Sequence, residues 1–255
     1  MRHLILVLAA LLLAAPPARA GELSYAARHG KADFLTAHLY PGASIVLAPK
    51  QLRENIAALT FDDGPDGTND PEILRILAEH GAPATFFVVG RNAARHPRLL
   101  REIAAAGHEI GNHTFEHVRL ITQNPQQQDA ALRRTNTLLS AAGVAPRWFR
   151  PPFGSYDEHT LSVARANGLE TILWTIDSKD YRDLPAAVVE ERVMRDLAPG
   201  SVVLMHSNHR NTVEALPNIL ARARMAGVRF VTLTEWKALM ERATVAQAGG
   251  ERAVN

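Results

Sequence analysis

Two adjacent carboxylates, Asp62 and Asp63, close the apolar run Ala58-Leu59-Thr60-Phe61 and are followed at once by Gly64-Pro65. Each makes the other harder to ionise, so the pair needs either full solvation or a cation beside it. A second group, Asn112-His113-Thr114-Phe115-Glu116-His117, carries two imidazoles four residues apart. On a helix they would share a face and reach one ion. Two histidines and one carboxylate form a recurrent open catalytic metal site with room for water. With Asp63 as the carboxylate ligand, the ion offsets the repulsion and leaves Asp62 ionised beside it. A divalent ion lowers the pKa of the water it binds, and a neighbouring carboxylate takes the proton, which equips the site to hydrolyse an acyl bond.

Three further residues extend this set. Arg150, before the rigid stretch Pro151-Pro152-Phe153-Gly154, is placed to hold the Asp62 carboxylate by a bidentate contact. His206 follows the apolar run Ser201–Met205 and suits a general acid that protonates a leaving group. Asp177, three residues beyond Trp174, is placed to orient His206 or to raise its pKa by pairing with the imidazolium.

These residues are positioned by an alternation of short β-rich runs and longer helical patterns. Ile56–Phe61 precedes Pro71–His80, Ala84–Gly90 precedes Pro97–Ala106, and Glu109–Asn112 precedes Gln126–Ala142. Trp148–Arg150 precedes Glu158–Asn167, Thr171–Trp174 precedes Leu184–Leu197, Ser201–Met205 precedes Thr212–Ala226, and Phe230–Leu233 precedes Thr234–Glu241. Gly81, Gly107, Gly143 and Gly168 read as helix stops, Pro71 and Pro97 as starts, and Asp157 and Thr234 as N-caps. Seven strand–helix repeats predict an α/β fold, a distorted barrel of seven or eight units, with an open doubly wound sheet as the alternative. In both, chemistry sits at the carboxyl ends of the strands, where Asp62, Asp63, His113, Arg150, Asp177 and His206 all fall.

Arg2 and the apolar stretch Leu4–Ala15, followed by Pro16-Pro17-Ala18-Arg19-Ala20, read as a secretory signal over residues 1–20. Residues 21–55 then form an N-terminal arm, 56–242 the catalytic domain and 243–255 a flexible tail. The chain has 28 basic and 26 acidic residues. Removing Arg2 and Arg19 with the signal leaves the two signs balanced, which argues against nucleic acid or an anionic membrane surface as the main partner. No cysteine is present, so any metal is held by nitrogen and oxygen, and disulfides and thiol nucleophiles are excluded. The 47% apolar composition is enough for one large core. The chain is expected to be an exported monomer, periplasmic or secreted, with no membrane span after processing.

The motifs Thr60-Phe61-Asp62-Asp63-Gly64, His113-Thr114-x-x-His117, Arg150-Pro151-Pro152-Phe153-Gly154, Asp177-x-x-Asp180-Tyr181 and Leu204-x-His206 stand in the order found in polysaccharide deacetylases with the NodB homology domain, carbohydrate esterase family 4, which the chain resembles from residue 56 to about 240. The resemblance implies a distorted (β/α) barrel and metal-dependent removal of acetyl groups from N-acetylated sugars. It implies Asp62 as base, Asp63, His113 and His117 as metal ligands, His206 as acid, and Arg150 and Asp177 as residues that tune base and acid. The Phe153 N–H would help hold the oxyanion, Leu204 would line the acetyl pocket, and Tyr181 and Trp174 would line the substrate groove. Phe153 and Tyr181 depart from the tyrosine and tryptophan common in the family; the first leaves a main-chain donor unchanged, the second bears on sugar stacking. Zinc is the default ion, with cobalt, nickel or manganese able to fill the same donors. The glycan is peptidoglycan, a chitin-like oligomer or poly-N-acetylglucosamine, and acetylated xylan shares the same reaction centre.

Other chemistries fit less well. Paired glycosidase carboxylates need no metal, Thr114 stands where an H-E-x-x-H protease has Glu, and the G-x-S-x-G turn of serine esterases is missing. The alternative from another class is an inactive carbohydrate-binding or envelope-scaffolding protein on the same fold. Asn112-His113-Thr114 also matches a glycosylation pattern, by accident of its overlap with the metal motif.

Overall fold

The computed structural model describes residues 54–251. The expected signal peptide, all but the last two residues of the arm, and residues 252–255 lie outside the described residues. The first strand, β1 (Ile56–Asp62), is buried along its whole length, as a parallel strand covered on both faces must be. Its Ala57, Leu59 and Phe61 join a cluster under the surrounding helices. On the other face Ile56 and Ala58 meet Phe87, Trp148, Val202 and Trp236 inside the curl of the sheet. Thr60 and Asp62 continue that inner row toward the carboxyl end.

The other strands are β2 (Thr85–Val88), β3 (Glu109–Asn112), β4 (Trp148–Phe149), β5 (Glu170–Thr171), β6 (Ile176–Asp177), β7 (Val202–His206) and β8 (Arg229–Val231). They lie in the order β5-β4-β3-β2-β1-β7-β6, with β8 paired to the start of β1 and every pairing parallel. Around them run α1 (Asp70–His80), α2 (Gly90–Arg95), α3 (Pro97–Ala105), α4 (Pro125–Ala141), α5 (Glu158–Ala166), α6 (Ala186–Asp196), α7 (Arg210–Met225) and α8 (Leu233–Glu251). This is the distorted, parallel (β/α) barrel expected, curled but not closed by pairing between β5 and β6 among the described residues.

The helix ends follow their residues. Gly81 ends α1 at φ 59°, in the left-handed region that glycine tolerates. Asn124 and Gln127 form a reciprocal capping box on α4, and Asp157 caps α5 by accepting the Thr160 N–H at 2.7 Å.

Three expectations are corrected. The run Thr171–Trp174 is not a strand: β5 stops at Thr171, matching the two-residue length of β4, and the Leu173 carbonyl accepts from the Arg150 guanidinium at 2.8 Å rather than from a neighbouring strand. The chain re-enters the sheet as β6, giving eight strands. Thr234 lies inside α8; its cap is Thr232, whose hydroxyl oxygen accepts the Glu235 N–H at 3.3 Å. The backbone of α8 runs on through Glu251, so residues 243–251 continue a helix where a frayed tail was expected.

Candidate active site

Asp62 ends β1 and lies opposite His206, the last residue of the adjacent β7. Asp63 follows at φ 75°. His113 follows β3, Arg150 follows β4, and Asp177 ends β6. The six non-glycine residues with positive φ among the described residues, Asp63, Thr114, His117, Phe153, Lys179 and Asp183, all fall in loops after β1, β3, β4 and β6. Backbone strain is thus confined to the carboxyl face, where function commonly stores it.

The Asp62 carboxylate is held by a buried guanidinium. Arg150 Nη1 donates to Asp62 Oδ1 at 2.8 Å and to Thr60 Oγ1 at 2.7 Å, while Nη2 donates to the Leu173 carbonyl. The contact is therefore single and not the bidentate one expected, because the second amino group is committed elsewhere. The Thr60 hydroxyl donates onward to the Val203 carbonyl at 2.6 Å. Phe87 lies under the guanidinium, 4.1 Å from its centre. Burial lowers the Arg150 pKa while Asp62 pulls it back up.

The two imidazoles meet Asp63 without a helix. Residues 113–117 form a loop with Thr114 at φ 64° and His117 at φ 54°, in place of the helical turn that the four-residue spacing suggested. Asn112 Oδ1 accepts the Thr114 N–H at 2.7 Å, and Thr114 Oγ1 accepts the His117 N–H at 3.1 Å. From this loop His117 Nε2 and His113 Nε2 approach Asp63 Oδ1 to 3.1 and 3.5 Å. His113 Nδ1 donates to the Arg150 carbonyl at 2.6 Å, which fixes the tautomer and turns the lone pair of Nε2 toward the carboxylates. Burial lowers the His113 pKa against the pull of Asp62 and Asp63, keeping the ring neutral. Asp63 would be raised by burial, but His117, His113 and His206 hold it well below the ordinary carboxylate range.

These three residues fit a divalent cation. One atom from each lies within 4.8 Å of the others. Asp63 Oδ1 is buried with no hydrogen bond, an expensive state for a carboxylate oxygen unless a cation takes its place. Two nitrogens and one oxygen leave coordination positions open.

His206 has a different partner from the one expected. Its Nδ1 lies 2.7 Å from Oδ1 of Asp180, and its backbone N–H donates to Asp180 Oδ2 at 2.7 Å. Asp180 is fully buried and also accepts from the Thr212 hydroxyl at 2.6 Å. Asp177 instead accepts from Lys179 Nζ at 2.5 Å, and Lys179 Nζ also donates to the Tyr181 hydroxyl at 2.9 Å. The cause is the turn after β6: Lys179 at φ 59° starts a short 3-10 turn, Asp180–Arg182, that carries Asp180 to the end of β7. Burial alone would lower the His206 pKa; the Asp180 contact, with Asp62 and Asp63, raises it to about 9. Asp180 stands in the motif Asp177-x-x-Asp180-Tyr181, but choosing between its two acids required the turn.

The remaining expected residues line the same face. Leu204 is buried yet belongs to none of the apolar clusters, and it shares a side of β7 with His206. Trp174 packs against Gly154, where a Cβ would come within 2.8 Å of its ring. Phe153, at φ 61° in the turn Pro152–Gly154, packs at a tilt against the His117 ring, with centroids 4.7 Å apart. Tyr181 meets the His206 ring edge-on at 5.2 Å.

An open Asp-His-His cluster beside a second carboxylate, at the carboxyl face of a distorted parallel barrel, is a site able to hold one divalent cation. The chain belongs to the polysaccharide deacetylase family, whose profile matches residues 50–172. It is 38% identical over 181 residues to a peptidoglycan-N-acetylglucosamine deacetylase of Bacillus cereus, covering 69% of this chain and 66% of that protein. It therefore spans just under two-thirds of that relative's length. It is 35% identical over 153 residues to a chitooligosaccharide deacetylase of a Bradyrhizobium species, covering 59% of this chain and 70% of the relative. Among solved structures, a carbohydrate esterase family 4 pseudoenzyme from Bacillus anthracis superposes with a TM-score of 0.70 at 32% identity, covering 74% of this chain and 67% of that one.

Proposed function

We propose that the protein is a metal-dependent hydrolase that removes N-acetyl, or O-acetyl, groups from a cell-envelope polysaccharide or oligosaccharide and releases acetate. The observation that carries this reading is the buried, unbonded Asp63 oxygen facing two histidine Nε2 atoms, with Asp62 fixed beside it. Asp63, His113 and His117 would hold the cation, zinc by default with cobalt, nickel or manganese as alternatives. When bound it supplies a Lewis acid for the acyl oxygen and acidifies water.

The chain's own residues carry the proton transfers. Asp62 accepts a proton from the attacking water, and Arg150 keeps that carboxylate aimed. The Phe153 N–H stabilises the oxyanion. His206, cationic through Asp180, has no hydrogen bond to Nε2 among the described residues and gives that nitrogen's proton to the departing amine as the carbon–nitrogen bond breaks, leaving acetate and an amino sugar. Leu204 receives the acetyl methyl group, and Trp174 and Tyr181 wall the groove. Asp177, held by Lys179, shapes the groove's edge.

The test is acetate release from peptidoglycan strands, chitin oligomers and poly-N-acetylglucosamine, with chelator and metal-readdition arms. Acetate that disappears with chelator and returns with metal supports the reading. The similarity to a pseudoenzyme favours one alternative, a glycan-binding protein without turnover, which binding with no acetate in any arm would establish. We further propose that residues 1–20 direct export to the periplasm or medium; N-terminal sequencing of the exported protein should begin at Gly21.

A further inference from the structure

Five large apolar side chains are exposed among the described residues, and two of them, Phe153 and Tyr181, flank the metal cluster and the acid. Phe153 is 55% exposed. An open aromatic face beside a reaction centre suits the apolar face of a sugar ring. The guanidinium of Arg119 sits over this ring, 4.6 Å from its centre. Arg119 is itself exposed, and no carboxylate lies within ion-pair distance of it among the described residues.

Two arginines that approach this loop from helices α4 and α2 differ. Arg134 lies over Phe115 at 3.5 Å but is bonded to Glu116 at 3.3 Å, and Arg91 approaches the same Glu116 to 4.0 Å. Stacking leaves the in-plane donors of a guanidinium free while restricting where they point. Arg119 is thus a held cation, without an acidic partner among the described residues, at the rim of a centre whose own acids have partners: Asp62 with Arg150, Asp63 with the imidazoles, Asp177 with Lys179 and Asp180 with His206. A carboxylate matches the guanidinium fork, so a glycan bearing one gains a charge-assisted, two-point contact here that a neutral glycan does not.

We infer that Arg119, held over Phe153, is a carboxylate receptor that selects a glycan in which the sugar next to the deacetylated N-acetylglucosamine is acidic. The lactyl ether of muramic acid is such a group. This rests on the deacetylase reading above and deepens it.

The experiment compares acetate release from N-acetylglucosamine oligomers with release from strands of equal length in which N-acetylglucosamine alternates with a carboxylated sugar, the peptides having been removed. In Arg119→Ala, kcat/KM on the carboxylated strand should fall about five- to tenfold, carried by KM, with the neutral oligomer changed by less than about twofold. Arg119→Lys should recover part of the loss, and Arg101→Ala, which removes a remote charge, should change neither. Equal loss on both substrates, or loss on neither, overturns the assignment. Should the wild type release acetate from neither, the deacetylase reading fails. Titration calorimetry then decides on Arg119: tighter binding of the carboxylated strand by the wild type than by Arg119→Ala keeps the receptor, and equal binding removes it.

Discussion

Asp62 and Asp63 are neighbours with opposite company. Arg150 holds the first from beneath, and imidazoles surround the second. Asp62→Asn should therefore cut acetate release by about 10²–10⁴-fold while metal content measured by elemental analysis stays near one per chain. An active Asn variant would remove Asp62 from the base role. His206 gives a pH signature. Its folded pKa of about 9 lies above the ordinary imidazole value of 6.5. The stability it contributes is complete below the lower value and lost as pH rises through the upper one. Activity that needs the imidazolium should likewise fall on the alkaline side, at no higher than about pH 9. A bound cation offsets Asp62 and Asp63, leaving Asp180 as the partner that sustains the charge. Asp180→Asn should then move the alkaline limb down by at least about one pH unit, whereas Asp177→Asn should leave it in place. A kcat profile against pH reads both, and a shift in the Asp177 variant alone would restore the role given to Asp177 from sequence. Residue types and order made the gathering of Asp62, Asp63, His113, His117 and His206 at one face legible. The choice of Asp180 over Asp177 was not, because it depends on a left-handed residue, Lys179, that nothing in its side chain announces.

Among the elements, the loop after β3 departs furthest from its sequence pattern. A four-residue histidine spacing suits a helix, yet here it serves a loop whose geometry comes from Asn112. The Asn112 amide donates to the Leu132 carbonyl at 2.9 Å and to Asn136 Oδ1 at 2.8 Å, and its oxygen takes the Thr114 N–H. The loop is also tied to the start of α2, where Gly90 and Arg91 donate to the Thr114 and Phe115 carbonyls. Gly90 is required there, since a Cβ would stand 2.5 Å from the Phe115 ring. Asn112→Ala strands several buried partners, so it should cost about 1–3 kcal/mol and weaken metal affinity about 10–100-fold, as loss of an outer-shell anchor does. Denaturant unfolding and metal titration measure the two effects. Unchanged metal affinity would mean that the loop holds its shape without Asn112. In the sequence this residue showed as the end of a strand, beside the histidines and within a glycosylation pattern, but not as the loop's anchor, since its partners on α4 lie 20 and 24 residues away and come together only in the folded chain.

At the scale of the whole molecule, β1 is the spine: it pairs with β2, β7 and β8, and delivers both central acids. Its unbroken apolar run made it the easiest strand to read, and the parallel alternation placed the site at the correct end. The short strands β4, β5 and β6 were harder, because two-residue pairings are set by neighbours and side-chain donors such as Arg150 and not by local propensity. The opposite end of the barrel is filled by α8, whose Trp236 is fully buried against the inner face with Leu233 and Met240 and donates its indole N–H to the Gly200 carbonyl at 3.1 Å. Glu109 ties the same end together, accepting from the Trp148 indole at 2.9 Å and from the Thr234 backbone N–H at 3.0 Å. Packing at this end should set stability without touching chemistry. Trp236→Ala leaves a large cavity below β1 and should lower stability by about 3–5 kcal/mol. At a temperature where the variant is still folded, its kcat should stay within about twofold of wild type, because α8 carries none of the proposed catalytic residues and distant sites act independently. Calorimetry and acetate release on the same preparation test this. A Tm that does not move would show that α8 is not needed to fill the barrel, and a large loss of kcat in the folded variant would show that the two ends of the barrel are coupled.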